Sequence, residues 1–414
     1  VVKGNYVGVN PLTVFPPLVG DDAWLARVFA SYGHYVDWIL DGAGPQPFLR
    51  FLVAHSPKRM IDALVTGNRW APFLAKLPRG VGLMPADKSA LYDLAYSTND
   101  FARQEELFDI RFDLKTAKAG YIDWETKGLK RAWQILNILP VSDVEGNPNM
   151  KFFLRAAVGE TAGESDMATY VSYWYRASKM KQKDIGIYTN PKDPMFGMNI
   201  FDGTIIHEIG HAVDGARKLS DTYCKTADGG GWVKQTPAKM IDAMVAASPW
   251  PTTKAWTAAV KAQARQACIN AVTNSTSVAA EANTLDPKGR LWKLIRTQRV
   301  VRAIPPAREG QAPWMHHDKQ YKFGDRYYHE GYTNEWYSYL SDRYDAKISK
   351  YQFRDPTDWF AEVYACYYIT VDPKNPKSED AGKRVPEPIR TWFRDNVAKT
   401  TPPPGVGKAG PKVK

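Results

Sequence analysis

The first third of the chain repeats apolar side chains at the spacing of a helix. Trp24, Val28 and Phe29 follow Asp21-Asp22 at such intervals, so a helix is expected to begin there and to end at the glycines near residue 42. Comparable patterns predict further helices at 47–64, 88–108 and 124–139. The segment 1–145 is therefore expected to form a mostly helical N-terminal domain.

The pattern changes after Met150. Residues 152–158 and 169–174 are rich in β-branched and aromatic side chains, and residues 184–188 alternate, which predicts strands. Residues 236–303 favour helices again, whereas 304–335 are rich in Pro, Gly, His and Tyr and favour irregular structure. Helices mixed with a few short strands indicate an α+β fold.

The segment 207–211 reads His-Glu-Ile-Gly-His. His207 and His211 are four residues apart and therefore share one face of a helix. Their imidazoles can then bind one zinc ion at about 2.0–2.1 Å. Glu208 follows the first histidine and can act as the general base that takes a proton from an attacking water. The alternative is an ordinary helix with two histidines on a polar face, but the strand, loop and apolar helix pattern around the motif favour a metal site.

Either of two carboxylates in a later predicted helix can supply the third ligand. Asp355 fits an N-cap and the apolar run after it predicts a helix. Asp358 and Glu362 are four residues apart and share one face. Asp358 can instead bond back to the Asp355 amide as part of a capping box, and Glu362 is then the ligand. The sequence thus predicts Zn²⁺ bound by the two histidines and Asp358, with Glu362 as the alternative.

These two segments resemble the zinc metallopeptidases related to anthrax lethal factor and the Pro-Pro endopeptidases. The resemblance rests on HEIGHAVD at 207–214 and on Tyr351 followed by DWFAE at 358–362, and it covers residues 180–215 and 340–398. The family pattern is E-[FY]-F-A-E, so this chain departs from it by an Asp at position 358. The resemblance implies a zincin-like catalytic domain over 146–398, with a small sheet, the HExxH helix and a second ligand-bearing helix. Within it, 236–335 is expected to be a helical insertion, and the Pro-, Gly- and Lys-rich tail 399–414 is expected to be disordered.

The resemblance also implies roles for individual residues. Asp358 matches the third zinc ligand and Glu362 the acid that lies behind it. Tyr351 matches a tyrosine that faces the active site, where its hydroxyl would stabilise the oxyanion; Tyr344 is the competing aromatic. Asp214 matches an acid that would hydrogen-bond to a metal-binding imidazole, although a helix-surface acid explains it equally well.

The predicted strand before the motif is a candidate substrate site. An exposed strand edge can bind a peptide backbone by strand addition. We therefore expect Ile185, Ile187 and Tyr188 to contact substrate.

The chain carries an excess of positive charge. The chain has 55 Lys and Arg against 44 Asp and Glu, a net charge of +11. This excess suits either a solvated basic surface or contact with an anionic surface or partner. A run of basic residues at 290–302 falls largely on one side of a predicted helix and favours a solvated face, so the nucleic-acid signal is weak. No stretch approaches the roughly 18 apolar residues that a transmembrane helix needs.

The remaining candidate ligands are weak. Cys224, Cys268 and Cys366 form no C-x-x-C pair, so a cysteine zinc site is not expected, although one disulfide is compatible with the sequence. Cys366 is predicted to be a buried core residue. The three histidines at 316, 317 and 329 are predicted to be surface or loop residues.

The sequence, with the resemblance, predicts a zinc-dependent endopeptidase that acts on a protein or peptide substrate. The family suggests a toxin or effector that is secreted or delivered by a secretion system, and no signal peptide is visible in a sequence that starts at Val1. Two alternatives remain open. One is a zinc hydrolase of cell-wall peptides, and the other is a non-catalytic binding or structural protein that keeps the helix.

Overall fold

The computed structural model describes the following residues: 10–14, 21–117, 119, 123–155, 169–171, 174–177, 200–247, 249–250, 252, 254, 256–273, 320–330, 335–349, 351–368 and 385–398. Their contacts divide them into two units. The described residues of Val1–Ile187 and Asn199–Ala216 form the first, and those from Arg217 onward form the second. The predicted strand with Ile185, Ile187 and Tyr188, the basic run 290–302 and the tail 399–414 lie outside the described residues.

Helices dominate the first unit. Its helices are α1 Pro11–Val14, α2 Asp22–Ser31, α3 Gly33–Gly42, α4 Pro45–Ala54, α5 Pro57–Thr66, α6 Trp70–Lys76, α7 Pro85–Tyr96, α8 Phe101–Phe112, α9 Thr126–Leu136, α10 Val141–Val144 and α11 Ile200–Arg217, whose last residue belongs to the second unit. A 3₁₀ turn at Gly80–Gly82 joins α6 to α7. Apolar faces of these helices meet in a core centred on Trp133, whose ring lies 5.5–5.7 Å from those of Tyr92, Tyr96, Phe108 and Phe112.

Several predicted long helices are pairs of shorter ones. The segment 22–42 breaks at Tyr32, and 47–64 breaks at His55 and Ser56. The second break has a clear local cause, because Ser56 precedes Pro57 and a proline disfavours the helical conformation of the residue before it. Ser56 lies outside the right-handed helical region, with a φ of 38°. Amphipathic spacing continues across such a break, so the periodicity alone does not reveal it.

Short strands complete the first unit. β1 Phe153–Arg155, β2 Thr169–Val171 and β3 Trp174–Ala177 form a sheet in the order β1-β3-β2. β3 runs parallel to β1 and antiparallel to β2. The Trp124 ring stacks on Phe153 at 5.0 Å and its indole N–H donates to the Phe153 carbonyl at 2.9 Å, which attaches the start of β1 to the helical core.

The second unit is built on an antiparallel sheet. Its elements are α12 Ser220–Tyr223, β4 Val233–Gln235, α13 Pro237–Ala247, α14 Ala258–Thr273, β5 Tyr321–Phe323, β6 Arg326–Glu330, β7 Trp336–Leu340, α15 Ser341–Asp345, a 3₁₀ turn Tyr351–Phe353, α16 Pro356–Tyr368, α17 Glu387–Phe393 and a π-helical turn Arg394–Ala398. The sheet order is β4-β7-β6-β5. The described residues therefore combine helices with small sheets, and the α+β prediction is confirmed.

The hairpin β5–β6 corrects one prediction. Residues 304–335 were expected to be irregular, yet 321–330 form two paired strands. The two-residue turn Gly324-Asp325 explains the pairing, because Gly324 adopts a φ of 61° that suits a tight hairpin turn. Aromatic residues on both sides favour strands, and this signal was hidden by the overall Gly and Tyr content.

No helix of the described residues is long and apolar enough to cross a lipid bilayer.

Candidate metal centre

Helix α11 carries the His-Glu-x-x-His motif and is buried along most of its length. Ile205, Ile206, Ile209 and Val213 are at most 1 % exposed, which explains why this apolar stripe folds as a core helix. His207 is also buried, and the following turn brings His211 beside it. The predicted spacing thus sets two imidazoles on one face of a rigid element.

The two imidazoles converge through the same ring atom. The Nε2 atoms of His207 and His211 are 3.1 Å apart, and the ring planes cross at 83°. Two nitrogens bound at about 2.0–2.1 Å to one tetrahedral ion lie about 3.3–3.4 Å apart. The observed pair is therefore close to the geometry of two ligands that share one metal. An imidazole-to-imidazole hydrogen bond fits the same distance, so the third group has to distinguish the two arrangements.

Asp358 supplies that third group. One ligand atom each from His207, His211 and Asp358 lie within 4.8 Å of one another, the one such cluster among the described residues. Two neutral imidazoles and a carboxylate form a common donor set for zinc. The same set also suits other divalent ions, so the cluster could hold a metal but does not select zinc.

The start of α16 explains how Asp358 is positioned. The Asp355 carboxylate accepts hydrogen bonds from the backbone N–H groups of Thr357 at 2.7 Å and Asp358 at 3.0 Å, so Asp355 is the predicted N-cap. Asp358 therefore lies in the first helical turn, with its side chain buried at 4 % exposure. Ring contacts of α16 with Tyr223 and Phe393 fix the helix within the second unit.

Three further acids on α11 and α16 are buried. Glu208 is 6 % exposed, Asp214 is 3 % and Glu362 is 5 %. Carboxylates are seldom buried without a charge or hydrogen-bond partner, and none of these three lacks one. Glu362 is not part of the three-residue cluster of described ligand atoms.

Two contacts that sequence reasoning missed hold α11 within the first unit. The Arg131 guanidinium on α9 forms a two-pronged ion pair with Asp202, whose Nε–Oδ1 distance is 2.8 Å. Asn149 donates from its amide to the Ala212 carbonyl at 3.3 Å, one residue beyond His211. Both partners are more than 60 positions away along the chain, and no local spacing signals them.

The two candidate tyrosines differ in environment. Tyr351 begins a 3₁₀ turn and is 40 % exposed, with the Arg354 guanidinium 4.5 Å from its ring centroid. Tyr344 instead packs 4.6 Å from the Tyr327 ring with Lys347 on its face, and burial raises the pKa of its phenol. Tyr351 is thus among the exposed aromatic residues, whereas the half-buried ring of Tyr344 packs against other aromatic rings. The oxyanion role of Tyr351 stays a prediction.

The other candidate ligands behave as core residues. Cys366 is fully buried, as predicted, and the three cysteines, all within the described residues, are not joined by a disulfide. The prediction that His329 is a surface or loop residue is wrong, because His329 lies in β6 and is 1 % exposed. Its position within a paired strand, rather than the Gly- and Tyr-rich composition around it, decides its burial. The histidines at 316 and 317 lie outside the described residues.

Comparison of the chain with models of protein families, with curated proteins and with solved structures finds no match.

Proposed function

We propose that this protein is a zinc-dependent endopeptidase. One observation supports the proposal above all others: ligand atoms of His207, His211 and Asp358 lie within 4.8 Å of one another, with Glu208 adjacent in the motif. The two histidines and Asp358 would hold the ion. Three protein ligands would leave a fourth position for water or substrate, which a catalytic zinc site requires and a structural one does not.

Zinc bound by these residues would lower the pKa of a coordinated water to about 7 and polarise the scissile carbonyl. Glu208 would take the proton as the water attacks and then deliver it to the leaving amine. The Tyr351 hydroxyl would donate a hydrogen bond to the developing oxyanion.

Glu362 and Asp214 would support the ligands rather than bind substrate. Each is buried on the helix that carries a proposed ligand, Glu362 on α16 and Asp214 on α11. A carboxylate that accepts a hydrogen bond from a ligating imidazole fixes the orientation of the ring and raises its basicity. Replacement of such an acid weakens metal binding without abolishing it.

The test combines zinc content with hydrolysis. The purified full chain is expected to contain close to one zinc per molecule by elemental mass spectrometry and to cleave members of a quenched-fluorescent peptide library. Glu208→Gln should keep the zinc and lose roughly 10²–10⁴-fold in kcat/KM, because it removes the base and leaves the ligands. Glu387→Gln is the matched control, since this glutamate side chain is 64 % exposed and its loss should leave both readouts unchanged.

The outcomes separate the competing functions. Undiminished turnover in Glu208→Gln would refute the mechanism. Zinc without peptide cleavage, but with release of fragments from purified cell wall, would indicate a wall hydrolase instead. A chain that takes up no zinc at neutral pH would leave the histidine pair as a structural contact and refute the proposal.

A further inference from the structure

A rigid turn in the first unit holds two apolar side chains out in solvent. Val81 is 65 % exposed and Met84 is 61 %, the two most exposed large hydrophobic residues of the described chain. Between and before them, Leu83 is 4 % exposed and Gly80 is also buried. The turn is thus anchored by its buried residues and presents the other two outward.

Several contacts fix this turn in place. Gly80 adopts a φ of 46°, and a Cβ atom there would lie 2.9 Å from Cβ of Asp113, so only glycine fits. Arg79 donates from Nε to the Asp113 carboxylate at 2.8 Å and from Nη2 to the Asp109 carbonyl at 2.9 Å. The exposure of Val81 and Met84 therefore follows from a defined backbone rather than from a loose end.

A basic pocket adjoins the turn. It has a volume of about 370 Å³, and three of its six lining residues are Arg79, Lys115 and Lys151. Its single acid, Asp113, is already paired with Arg79. The backbone N–H of Lys115 donates to the Lys151 carbonyl at 3.0 Å, which keeps the two lysines side by side. Neither ammonium group forms an ion pair with a described residue, so their charge is available to an external anion.

The apolar surface extends away from the pocket. A Cβ atom placed on Gly146 would lie 3.8 Å from Cγ1 of Val81, so the turn packs beside the end of α10. Val141, at the start of α10, is 44 % exposed. The three outward aliphatic side chains thus belong to the turn and to the helix beside it, and Arg79 of the pocket begins the turn. We name the surface formed by Val81, Met84, Val141, Arg79, Lys115 and Lys151 the turn surface.

We propose that the turn surface docks on an anionic lipid membrane, with Val81 and Met84 entering the interface and Lys115 and Lys151 contacting phosphate or carboxylate headgroups. Apolar insertion and basic attraction are each weak alone, and stable attachment to a bilayer takes both. The combination of exposed aliphatic and basic side chains distinguishes this surface from a purely ionic site, where exposed aliphatic side chains would not contribute to binding. The net charge of +11 adds long-range attraction to the same partner. This role is independent of the proposed peptidase activity.

The test is sedimentation of the full chain with lipid vesicles. Binding is expected to phosphatidylcholine vesicles that contain about 30 % phosphatidylserine and not to pure phosphatidylcholine, because the basic residues respond to anionic lipid. Lys115→Gln with Lys151→Gln should weaken binding about 30-fold, since each basic residue near an anionic surface contributes about fivefold. Val81→Ser with Met84→Ser should weaken it at least about tenfold through the loss of apolar burial.

Matched controls come from the same unit. Lys58→Gln with Lys76→Gln removes two exposed charges elsewhere, with side chains 62 % and 43 % exposed, and Val65→Ser removes another exposed aliphatic residue. These variants should bind vesicles nearly as the parent does. All substitutions lie at exposed positions, so far-UV circular dichroism should remain unchanged.

Each remaining outcome overturns the proposal. No binding to phosphatidylserine vesicles excludes membrane docking. Binding that survives both double substitutions places the contact elsewhere. Binding that depends on the lysines but not on Val81 and Met84, and that heparin or RNA reproduces with equal affinity, would make the pocket a general anion site.

Discussion

Replacement of Asp358 by alanine should weaken zinc binding far more than the same change at Glu362. The Asp358 carboxylate lies within 4.8 Å of a nitrogen of both His207 and His211, whereas Glu362 is not part of that group of described atoms. Glu362 is four residues further along α16, and side chains four apart on a helix are separated by about 5–6 Å at Cβ. Its oxygen is therefore better placed to support a ligand than to be one.

The difference between the two variants in zinc affinity can be estimated. Structural zinc sites with four protein ligands bind with about 10–16 kcal/mol at neutral pH, or about 2.5–4 kcal/mol per ligand. Loss of a ligand then raises Kd on the order of 10²–10³-fold. Loss of an acid that only orients a ligand raises Kd by about 10–100-fold. Asp358→Ala should therefore exceed Glu362→Ala by roughly tenfold or more.

The assay is competition for zinc against a chromophoric chelator at neutral pH. Asp342→Ala is the control, because this aspartate side chain is 72 % exposed and its removal should leave Kd unchanged. Circular dichroism of the metal-free variants verifies that the fold persists. An equal or larger loss in Glu362→Ala would refute the reasoning and identify Glu362 as the third ligand.

Two further predictions concern the first unit. The Glu145 side chain is 3 % exposed and pairs with both Arg111 and Lys88, so Glu145→Gln should lower the free energy of unfolding by about 3 kcal/mol. Asp62→Asn, which removes a carboxylate whose side chain is 58 % exposed, should lower it by less than about 1 kcal/mol. Equal losses in urea unfolding would contradict this prediction. Burial raises the pKa of Asp109 from 3.8 to about 6 in the folded chain. The carboxyl therefore loses its proton at a lower pH in the unfolded chain than in the folded one, and the free energy of unfolding should fall as pH rises between these two values. Asp109→Asn should flatten that slope in thermal unfolding scans, and an unchanged slope would rule out Asp109 as its source.

The parts of the fold that local physics determines were accessible from the sequence. The N-cap at Asp355 follows from a side chain that bonds to amides two and three residues away, and the histidine pair follows from helical spacing. The breaks inside the N-terminal helices were missed because apolar spacing runs through them. The hairpin at Gly324 was missed because a two-residue turn is a short signal within a composition typical of loops.

Contacts between distant positions were not accessible. Arg131 and Asp202 are 71 residues apart, and Asn149 and Ala212 are 63 apart. Each of these residues is unremarkable in its local context, since an arginine on a helix is usually solvated. Only the packing of α9 and its neighbours on α11 gives them a role in holding the helix that carries the histidine motif. The choice between Asp358 and Glu362 is similar, because both fit one helix face and only the fold brings one of them to the histidines.

The pairing of β4 with β7 has a consequence for how the chain can fold and change. β5, β6 and β7 are close in sequence and can pair with one another early in folding. The contact of β4 with β7 is long-range, because the Gln235 amide donates to the Ser338 hydroxyl at 2.8 Å across 103 residues. β4 must therefore join after a long loop has closed, which makes it a late and slow step in folding. Closure entropy grows only as the logarithm of loop length, so doubling the connection costs about 0.6 kcal/mol. The chain between these strands can thus gain or lose whole helices at little cost to the sheet that it interrupts.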